Sequence, residues 1–592
     1  MSILIKTVRI CGFRGLENIE VSLEKTTVLI GMNNTGKTSF LKALQLALGS
    51  RQFVSQDDFY IHGSSISEKI IIDLMIIPIG VEDMQEADFS DDWEILFTTD
   101  RIRNNSEGLS FIPIRTVVTF DIVKNNYNTQ QFILQDWPKY DHEGTKWFES
   151  DDGKKTSFRF DEIPFYYMDA KRDILEDIKL KNSYLGKMLS KVEYSADVIK
   201  EIEDQIRALN ENAINSSDIL SNIKANLKEL NTAMDSCGDG IEITPFTKKV
   251  RDLNKGLTIY YADSHDSFSM EYHGMGTRSW SSLLTLKSFI TLLFKNAKKE
   301  KNVFFPISAI EEPEAHLHPN AQKKLFGQIE AIPGQKIIST HSPYISSTAN
   351  LAHLRSFYKN RRVTCGRMVM DGLSDEDIRK INRQVINTRG EIFFSKVIIF
   401  FEGDTEEQAL PILAQKHFGK TTVELALDFV GVGGHGSYLP FIRFSEAFNI
   451  PWLIFSDAEN TPGKNIKASV LDQFARCGSH KTEADCIVFL DDGNNFEKQL
   501  ICDGFSDEIK SVVISLGSYA NDLHKSAKVK EINSYDDDEL YKIIEKNKTQ
   551  YAPAIADIII NSEKNLPAKV AELFSRISAI LELERAGDGK HD

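Results

Sequence analysis

The 592-residue sequence predicts an α/β protein with a nucleotide-binding domain in its N-terminal half, a helical insert, and a second α/β domain in its C-terminal half. Three observations support this prediction: a glycine-rich phosphate-binding loop, a long charged stretch of helical pattern, and apolar strands after residue 390 that end in carboxylates. Because a domain typically has roughly 100–200 residues, the length of the chain likewise favours about three or more domains.

Composition places the chain among ordinary globular proteins. Hydrophobic residues make up 41% and charged residues 26%, and no apolar stretch approaches the ~20 residues of a membrane helix. The N-terminus lacks the pattern of a signal peptide, so we expect a cytoplasmic location and no membrane partner. The six cysteines are scattered without CxxC spacing, which predicts reduced thiols rather than disulfides or a zinc site.

The formal net charge of −16 argues against a generally basic surface. Any contact with nucleic acid must therefore use a local Lys/Arg patch or bridging metal ions. An acidic balance does not by itself exclude DNA as a partner.

The first element pattern is "VLIGMNNTGKTSFLKAL", which predicts a strand, a loop and a helix. Gly31, four residues and then Gly36-Lys37-Thr38 form the P-loop spacing. In such a loop, backbone N–H groups and the helix N-terminus surround phosphate, Lys37 reaches the terminal phosphates, and Thr38 offers its hydroxyl to Mg²⁺. The predicted nucleotide-binding residues of this loop are Asn33, Asn34, Gly36, Lys37, Thr38 and Ser39.

The second element pattern is a charged helical run from about residue 173 to 234 with almost no glycine or proline. Such a run forms an arm that packs on itself or on another subunit, or a solvated spacer, and the sequence leaves both interpretations open. We take residues 173–240 as a helical insert that serves oligomerisation.

Two apolar strands beyond the insert end in residues suited to nucleotide chemistry. The strand "FFPISAI" delivers Glu311 and Glu312, an arrangement that places one carboxylate near Mg²⁺ and a second one beside the attacking water. The strand "KIIST" delivers His341, which we expect to contact the γ-phosphate.

Together with "HGMGTRSW", whose glycines and Arg278 resemble a signature loop that completes the site of a facing subunit, these motifs resemble an ABC-type ATPase head that binds ATP. The strings "EEPEAHLHP" and "THSP" are similar to SMC-like, RecF-like and overcoming-lysogenization-defect (OLD) ATPases. Glu311 stands where many such ATPases carry Asp, which puts fast turnover in doubt. We expect His316 and His318 to cap and pack the next helix, because no third ligand stands at zinc spacing.

In the C-terminal half, two apolar strands are each followed by acidic residues. The strand in "SKVIIFFEGDTEE" ends at Glu402, and a glycine turn leads into a helix with Glu406 in its first turn. The strand in "PWLIFSDAEN" presents Asp457 and, two residues on, Glu459 on the same side of an extended chain. Four acids at the ends of adjacent strands repel one another unless cations lie between them, and hard oxygen ligands predict Mg²⁺ or Mn²⁺.

This spacing resembles the Toprim domain of topoisomerases, primases and OLD nucleases. An ABC-type head followed by a Rossmann-like Toprim domain resembles the OLD family over nearly the whole sequence, and the resemblance implies DNA cleavage by metal-assisted hydrolysis. Two later segments fit the family pattern: "NNFEKQLI" offers Glu497, and "KNKTQYAPAIADII" offers Lys548 as the catalytic lysine. Glu459 departs from the usual second Asp.

The resemblance assigns roles to the residues of both halves. In the Toprim half, the acids would hold up to two ions, and Lys548 would neutralise charge on the phosphate. The ATPase head would act as sensor and gate. The residues expected to be catalytic are Glu402, Glu406, Asp457, Glu459, Glu497, Lys548, Glu312 and His341, and Glu311 is expected to help bind the nucleotide. The expected metal ligands are Glu402, Glu406, Asp457, Glu459 and Thr38.

The predicted boundaries are residues 1–172 and 241–385 for the two parts of the ATPase domain, 173–240 for the insert, and 390–592 for the Toprim domain. The resemblance implies DNA as substrate and a homo-oligomer, dimer or tetramer. It also implies a role in anti-phage defence, beside a UvrD-like helicase as in Gabija or beside a retron reverse transcriptase with its RNA and DNA.

Two other functions remain open. The first is a RecF/SMC-like ATPase that acts in DNA repair without nuclease activity of its own, which does not explain the paired acids at strand ends. The second is a Toprim enzyme that makes bonds, such as a primase or topoisomerase, but no strand-passage tyrosine motif or zinc module accompanies the Toprim stretch.

Overall fold

The computed structural model describes all of the chain except residues 1, 52, 64, 124, 141–145, 151–152, 181–182, 190–194, 219, 222–259, 264–265, 361, 369–372, 384–389, 462–463 and 589–592. It divides into two compact units. The first unit comprises Met1–Asp161 and Gln335–Asp592, and the second comprises Glu162–Gly334. The predicted insert falls in the second unit, and its residues 222–240 lie outside the described part of the chain.

The strands are β1 Ser2–Phe13, β2 Leu16–Ser22, β3 Thr26–Ile30, β4 Ile61–His62, β5 Ser65–Ile66, β6 Lys69–Ile79, β7 Arg103–Asn104, β8 Ser110–Asp121, β9 Asn126–Ile133, β10 Lys154–Thr156, β11 Phe165–Met168, β12 Tyr260–Asp263, β13 Asp266–Ser269, β14 Ile307–Glu311, β15 Gln335–Ser339, β16 Leu354–Asn360, β17 Arg362–Gly366, β18 Val397–Phe401, β19 Leu427–Gly431, β20 Trp452–Ser456, β21 Asn460–Thr461, β22 Lys464–Asn465 and β23 Ile487–Phe489.

The α-helices are α1 Lys37–Ala47, α2 Asp91–Phe97, α3 Ile174–Lys179, α4 Tyr184–Leu189, α5 Ala196–Asn215, α6 Met275–Glu300, α7 Pro319–Glu330, α8 Pro343–Thr348, α9 Asp375–Ile381, α10 Asp404–Phe418, α11 Thr422–Leu425, α12 Tyr438–Phe448, α13 Ile466–Cys477, α14 Glu483–Cys486, α15 Phe496–Cys502, α16 Ser506–Leu516, α17 Asp522–Ser534, α18 Asp537–Lys546, α19 Lys548–Asn561 and α20 Ala568–Asp588. Within the described residues, none of these helices combines the length and apolar character that a membrane crossing requires.

An antiparallel sheet in the first unit has the order β10-β9-β8-β6-β1-β2, with β7 beside β8. Its strands β1, β6 and β8 are long and largely buried. A fully buried ion pair crosses β6 and β8, where the Arg115 guanidinium donates to both oxygens of Asp73 at 2.8 Å. Full pairing of this kind satisfies two charges that would otherwise be costly to bury.

The nucleotide-binding sheet of the first unit contains the parallel strands β15, β3 and β16, with β17 antiparallel to β16. All five residues of β3 are buried, as are those of β15. Such continuous burial is typical of parallel strands that are covered on both faces. In the second unit, β11 and β14 also pair in parallel.

A second parallel sheet in the first unit has the order β19-β18-β20-β23. One face of this sheet packs on a core that includes side chains from α10, α16, α18, α19 and α20. The chain passes from β18 to β19 on one side of it and then crosses back to β20 on its other side, so the strand order reverses beside β18. Ligands of open α/β sheets bind at the carboxyl ends of the strands at such a point. The predicted α/β class is confirmed.

Candidate metal and nucleotide sites

Three carboxylates converge at the carboxyl edge of the β19-β18-β20-β23 sheet. Glu402 follows β18, Asp457 follows β20, and Glu406 lies in the first turn of α10. Because β18 and β20 are parallel neighbours, their ends meet at one edge. One carboxylate oxygen from each of the three residues lies within 4.8 Å of the other two. The structure therefore brings together three of the four acids that the sequence predicts as metal ligands.

The electrostatics of this cluster are those of carboxylates that lack a counterion. Burial, followed by repulsion from Glu406 and Glu402, raises the pKa of Asp457 to about 9. Burial also raises the pKa of Glu406 to about 8, with Glu402 and Glu497 adding repulsion. The pKa of Glu402 is raised by burial as well, although hydrogen bonds from Asp457 and Ser456 oppose the shift. Without a cation, the cluster retains protons near neutral pH.

The donor set fits a hard divalent cation. Both oxygens of Glu402 are held, one by the Ser456 hydroxyl at 2.7 Å and the other by the Asp457 N–H at 3.0 Å. Within the described residues, the buried Oδ1 atom of Asp457 has no hydrogen-bond partner. A buried carboxylate oxygen rarely lacks a partner, and an oxygen-binding cation would satisfy it.

Glu497 and Lys548 form a pair beside the acid cluster. The Thr405 hydroxyl donates to Oε1 of Glu497 at 2.7 Å, and the Lys548 ammonium donates to Oε2 at 3.0 Å. Burial lowers the pKa of Lys548, but the attraction of Glu497 outweighs this effect and leaves the pKa above its usual value. Lys548 is the first residue of α19, whereas the sequence predicts that it precedes the helix.

Glu459 is not one of the three acids that come within 4.8 Å of one another. The side-chain amide of Asn495 donates to its Oε1 atom at 3.2 Å. Strand β20 ends at Ser456, and the Ala458 N–H beyond it bonds to the Asn494 carbonyl at 2.9 Å. The negative charge of Glu459 still contributes to the raised pKa of Asp457. Its role as a ligand stays a prediction.

Sequence reasoning missed Tyr438, the first residue of α12. Its side chain is fully buried, and its hydroxyl lies beside the Glu402 carboxylate without a hydrogen bond of normal geometry to any residue that the structure describes. Burial and the charge of Glu402 raise the pKa of Tyr438 well above its usual value, so the hydroxyl stays protonated. Ser456 and Thr405 were also missed, although each adjoins a predicted acid along the chain.

The P-loop adopts the predicted strand, loop and helix arrangement between β3 and α1. Gly31 has φ +139, and a Cβ there would lie 2.2 Å from the Phe357 carbonyl oxygen, so only glycine fits. The Lys37 ammonium donates to the carbonyls of Gly31 and Met32, both at 2.7 Å. The other predicted residues of the loop line its outer side: Asn33, Asn34 and Thr38 are exposed, and Gly36 and Ser39 are half-buried.

His341 lies close to Lys37 in the same unit. It follows β15, and the preceding Thr340 N–H donates to the Leu29 carbonyl on β3 at 3.0 Å. Burial and the positive charge of Lys37 lower the pKa of His341 to about 4. The imidazole is therefore neutral at pH 7, and its contact with the γ-phosphate stays a prediction.

In the second unit, Glu311 ends β14 and Glu312 begins the turn that follows. The Tyr167 hydroxyl donates to the Glu311 carboxylate. The Arg172 guanidinium donates to the carbonyls of Glu311, Glu312 and Pro313 at 2.8–3.0 Å, and Glu312 has a left-handed φ of +42. Burial lowers the pKa of Arg172 to about 10. Sequence reasoning missed Arg172, which fixes the turn through backbone contacts.

The signature-like stretch forms the start of α6 in the second unit. Arg278 pairs with the Asp173 carboxylate, and a Cβ at Gly276 would lie 2.5 Å from the His316 carbonyl oxygen. His318 is the N-cap of α7 and its Nδ1 atom accepts the Asn320 N–H at 3.3 Å. The prediction that His318 caps the helix after β14 is confirmed.

Comparison with known families assigns one family to the N-terminal part of the chain and another to the C-terminal part. Residues 4–346 match the AAA ATPase domain family, which covers more than half of the chain. The chain belongs to the AAA ATPase domain family. Residues 393–458 match the Toprim domain of the overcoming lysogenization defect protein-like family. The predicted resemblance of this AAA ATPase with an OLD-like Toprim domain to the OLD family is confirmed.

Three relatives are similar to this OLD-like protein along most of their length. The Old nuclease of Escherichia phage P2 is 23% identical over 482 residues, which cover 78% of each chain. The uncharacterized protein YbjD of Escherichia coli K12 is 25% identical over 484 residues, which cover 79% of this chain and 81% of YbjD. Endonuclease GajA of Bacillus cereus strain VD045 is 24% identical over 466 residues, which cover 72% and 70% of the two chains.

Proposed function

We propose that this chain is a metal-dependent DNA endonuclease whose Toprim domain hydrolyses phosphodiester bonds under the control of its ATPase domain. The observation that carries the proposal is the convergence of Glu402, Glu406 and Asp457, with one Asp457 oxygen buried and without a partner in the described structure. Two of the relatives are named as nucleases, which supports the same activity.

The three converging acids would hold one or two Mg²⁺ or Mn²⁺ ions, with Glu459 and Glu497 as further predicted ligands. When bound, such ions activate water and stabilise the leaving oxygen of a phosphodiester. The Ser456 hydroxyl and the Asp457 N–H orient Glu402. Glu497 holds the Lys548 ammonium at 3.0 Å, where its positive charge would stabilise the charge that develops on the phosphate.

The nucleotide-binding residues would bind ATP with Mg²⁺. Lys37 would exchange the carbonyls of Gly31 and Met32 for phosphate oxygens, and the neutral His341 would face the γ-phosphate. Glu311 stays a predicted nucleotide-binding residue, and Glu312 stays a predicted catalytic residue. Bound ATP would gate cleavage if it favours one state of the nuclease site over the other.

The finer assignments are part of the same proposal. They comprise a cytoplasmic location, DNA as the substrate, a dimer or tetramer, and the domain boundaries predicted above. They also comprise a role in anti-phage defence, with either a UvrD-like helicase or a retron reverse transcriptase as partner.

The proposal is tested by incubating the purified protein with supercoiled and linear DNA, with Mg²⁺ or Mn²⁺, and with or without ATP. We expect nicked or linear products, and we expect Glu402→Ala and Asp457→Ala to abolish them because each removes a predicted metal ligand. The exposed Asp404→Ala serves as the matched control on the same turn. Undiminished nicking by both acid variants would contradict the assignment, and binding without cutting would favour the RecF/SMC-like alternative.

A further inference from the structure

Helix α12 has one end at the predicted metal site. Its first residue, Tyr438, places a fully buried hydroxyl beside Glu402. The N–H groups of Tyr438 and Leu439 donate to the Gln473 side chain at 2.8 and 3.2 Å, which fixes the start of the helix. The Phe441 ring lies 5.7 Å from that of Phe400, two residues before Glu402. Any displacement of α12 along its axis therefore changes what surrounds the Glu402 carboxylate.

The other end of α12 lies against the nucleotide-binding sheet. The Ser356 hydroxyl on β16 donates to the Phe448 carbonyl at 3.3 Å. A Cβ at Gly366, where β17 ends, would lie 2.2 Å from the Ala447 carbonyl oxygen, so the two backbones touch. The next residue of β16 after Ser356 is Phe357, whose carbonyl closely approaches Gly31 of the P-loop. One strand thus contacts both the phosphate-binding loop and α12.

A second connection starts at the predicted γ-phosphate contact. Helix α8 begins two residues after His341 and packs against the turn Gly390–Phe394. In that turn, the Phe393 ring lies 5.4 Å from the rings of Phe444 and Phe448 on α12. The P-loop, through β16, and His341, through α8 and the turn Gly390–Phe394, are therefore both connected to α12.

The segment between the two domains also contacts the start of α12. The Lys380 ammonium on α9 donates to the Ser437 hydroxyl at 3.1 Å, and Ser437 directly precedes Tyr438. All of these contacts lie within the first unit. The helix is held by ATPase-side residues at both of its ends.

We propose that α12 couples nucleotide binding at the P-loop to the metal site, with Tyr438 as the positioning residue for Glu402. The coupling rests on the proposed function for its biological purpose, since it describes how ATP would control cleavage. It requires that ATP bind one position of α12 more tightly than another, because a ligand shifts only an equilibrium whose two states it binds unequally. In the competent position, the Tyr438 hydroxyl donates to Glu402 and orients it toward the cation.

The role of Tyr438 is tested by Mn²⁺ binding in the absence of nucleotide and DNA. We expect Tyr438→Phe to weaken Mn²⁺ binding by about 10-fold, the lower range for losing a group that orients a metal ligand. Ser445→Ala is the matched control, because Ser445 lies on the same helix, is fully buried, and its hydroxyl has no partner among the described residues. Equal Mn²⁺ affinity in Tyr438→Phe and the parent protein would overturn the positioning role.

The role of α12 is tested by hydrogen exchange with and without ATP. In the parent protein, we expect ATP to change the exchange of Tyr438–Phe448 and of the turn that contains Glu402. Ser356→Ala should lose most of this response while its affinity for a fluorescent ATP analogue stays within about twofold, because the Ser356 hydroxyl bonds to the Phe448 carbonyl on α12. Ser445→Ala should respond as the parent does. An α12 that ignores ATP in the parent, or a full response in Ser356→Ala, would overturn the coupling.

Cleavage assays separate this proposal from the nuclease proposal. If the protein cuts DNA, the factor by which ATP changes the cleavage rate should be at least about threefold smaller in Ser356→Ala and Tyr438→Phe than in the parent protein. In Ser445→Ala it should be the same as in the parent. A protein that cuts no DNA yet shows the exchange response would overturn the nuclease and support the coupling. A protein that cuts DNA with the same effect of ATP in the parent and in both variants would support the nuclease and overturn the coupling.

Discussion

Single residues of the acid cluster combine two opposed requirements. Glu402, Glu406 and Asp457 must lie close together to share a cation, and that closeness is unfavourable when the cation is absent. The raised pKa values of Asp457 and Glu406 reflect this repulsion together with burial. The close approach of these three acids thus destabilises the protein when no cation is bound, and the same closeness is what a shared cation requires.

The first prediction concerns the pH dependence of stability without metal. The pKa of Asp457 rises from an ordinary 3.8 to about 9, and that of Glu406 from 4.5 to about 8. The folded state therefore binds more protons than the unfolded state between about pH 4 and 9, so its stability should fall as the pH rises through that window. Thermal unfolding in a chelator at pH 6 and pH 9 measures the slope.

Two controls sharpen this measurement. Asp457→Asn should flatten the slope, because it removes the carboxyl with the higher pKa. Saturating Mn²⁺ should remove it too, because the cation replaces the protons. Stability that rises between pH 6 and pH 9 in the chelator would contradict the assigned shifts.

The second prediction concerns Lys548, which Glu497 holds at 3.0 Å. Lys548→Ala should lower single-turnover cleavage at saturating metal by about 10²–10³, the magnitude typical for loss of one preorganised electrostatic donor. Lys548→Arg should rescue only partly, because a planar fork does not place its charge where a compact ammonium does. The exposed Lys546→Ala is the matched control. A Lys548→Ala rate within about threefold of the parent would remove this residue from the catalytic set.

Among the elements, the turn after β14 depends on a residue that contributes no chemistry of its own. Arg172 donates to three successive backbone carbonyls and is itself buried. The turn also holds Glu312 in a left-handed conformation, which is rare for a residue with a side chain. Strain of this kind persists only where surrounding contacts fix the backbone.

The third prediction is that Arg172→Ala destabilises the second unit and slows any ATP hydrolysis. Loss of three hydrogen bonds from a charged donor should cost about 3 kcal/mol or more of the free energy of unfolding, because the carbonyls lose their partner. Chemical denaturation and an ATPase assay measure the two effects. Lys171→Ala, at the exposed neighbouring position, should change neither. Equal stability of Arg172→Ala and Lys171→Ala would show that the turn holds without the guanidinium.

At the scale of the whole molecule, the P-loop and the Toprim domain belong to one compact unit. Residues of β16, of β17 and of the 390–394 turn all contact α12, and the first residue of α12 lies beside Glu402. A change at the nucleotide site can thus reach the metal site without leaving this unit. Separate, loosely tethered domains would offer no such continuous contact.

The fourth prediction is that Lys37→Ala separates ATP binding from cleavage. The substitution removes the charge that faces the β- and γ-phosphates, so ATP binding should weaken strongly while metal-dependent cleavage without ATP persists. The variant should also lose the effect of ATP on the cleavage rate. Lys25→Ala, an exposed lysine just before β3, is the control. An equal ATP response in Lys37→Ala and the parent would refute control by this site.

The sequence by itself determined the elements that depend on local pattern. Buried runs such as "VIIFF" and "WLIFS" form strands, and the acids that follow them meet because parallel strands end at one edge of a sheet. The P-loop spacing likewise fixes a strand, turn and helix within a short segment. These inferences need only neighbouring residues.

Only the tertiary structure decided which side chains complete the site. The bond from Asn495 to Glu459 and the position of Tyr438 beside Glu402 join residues that are far apart in sequence. The same is true of the grip of Arg172 on the turn after β14. The contacts of Glu459 and Tyr438 depend on the strand order β19-β18-β20 and on how helices pack over it, and that of Arg172 depends on the sheet in which β11 pairs with β14. Local hydrophobic periodicity is set by the geometry of one element, whereas these contacts are set by the distances between elements, which no single segment encodes.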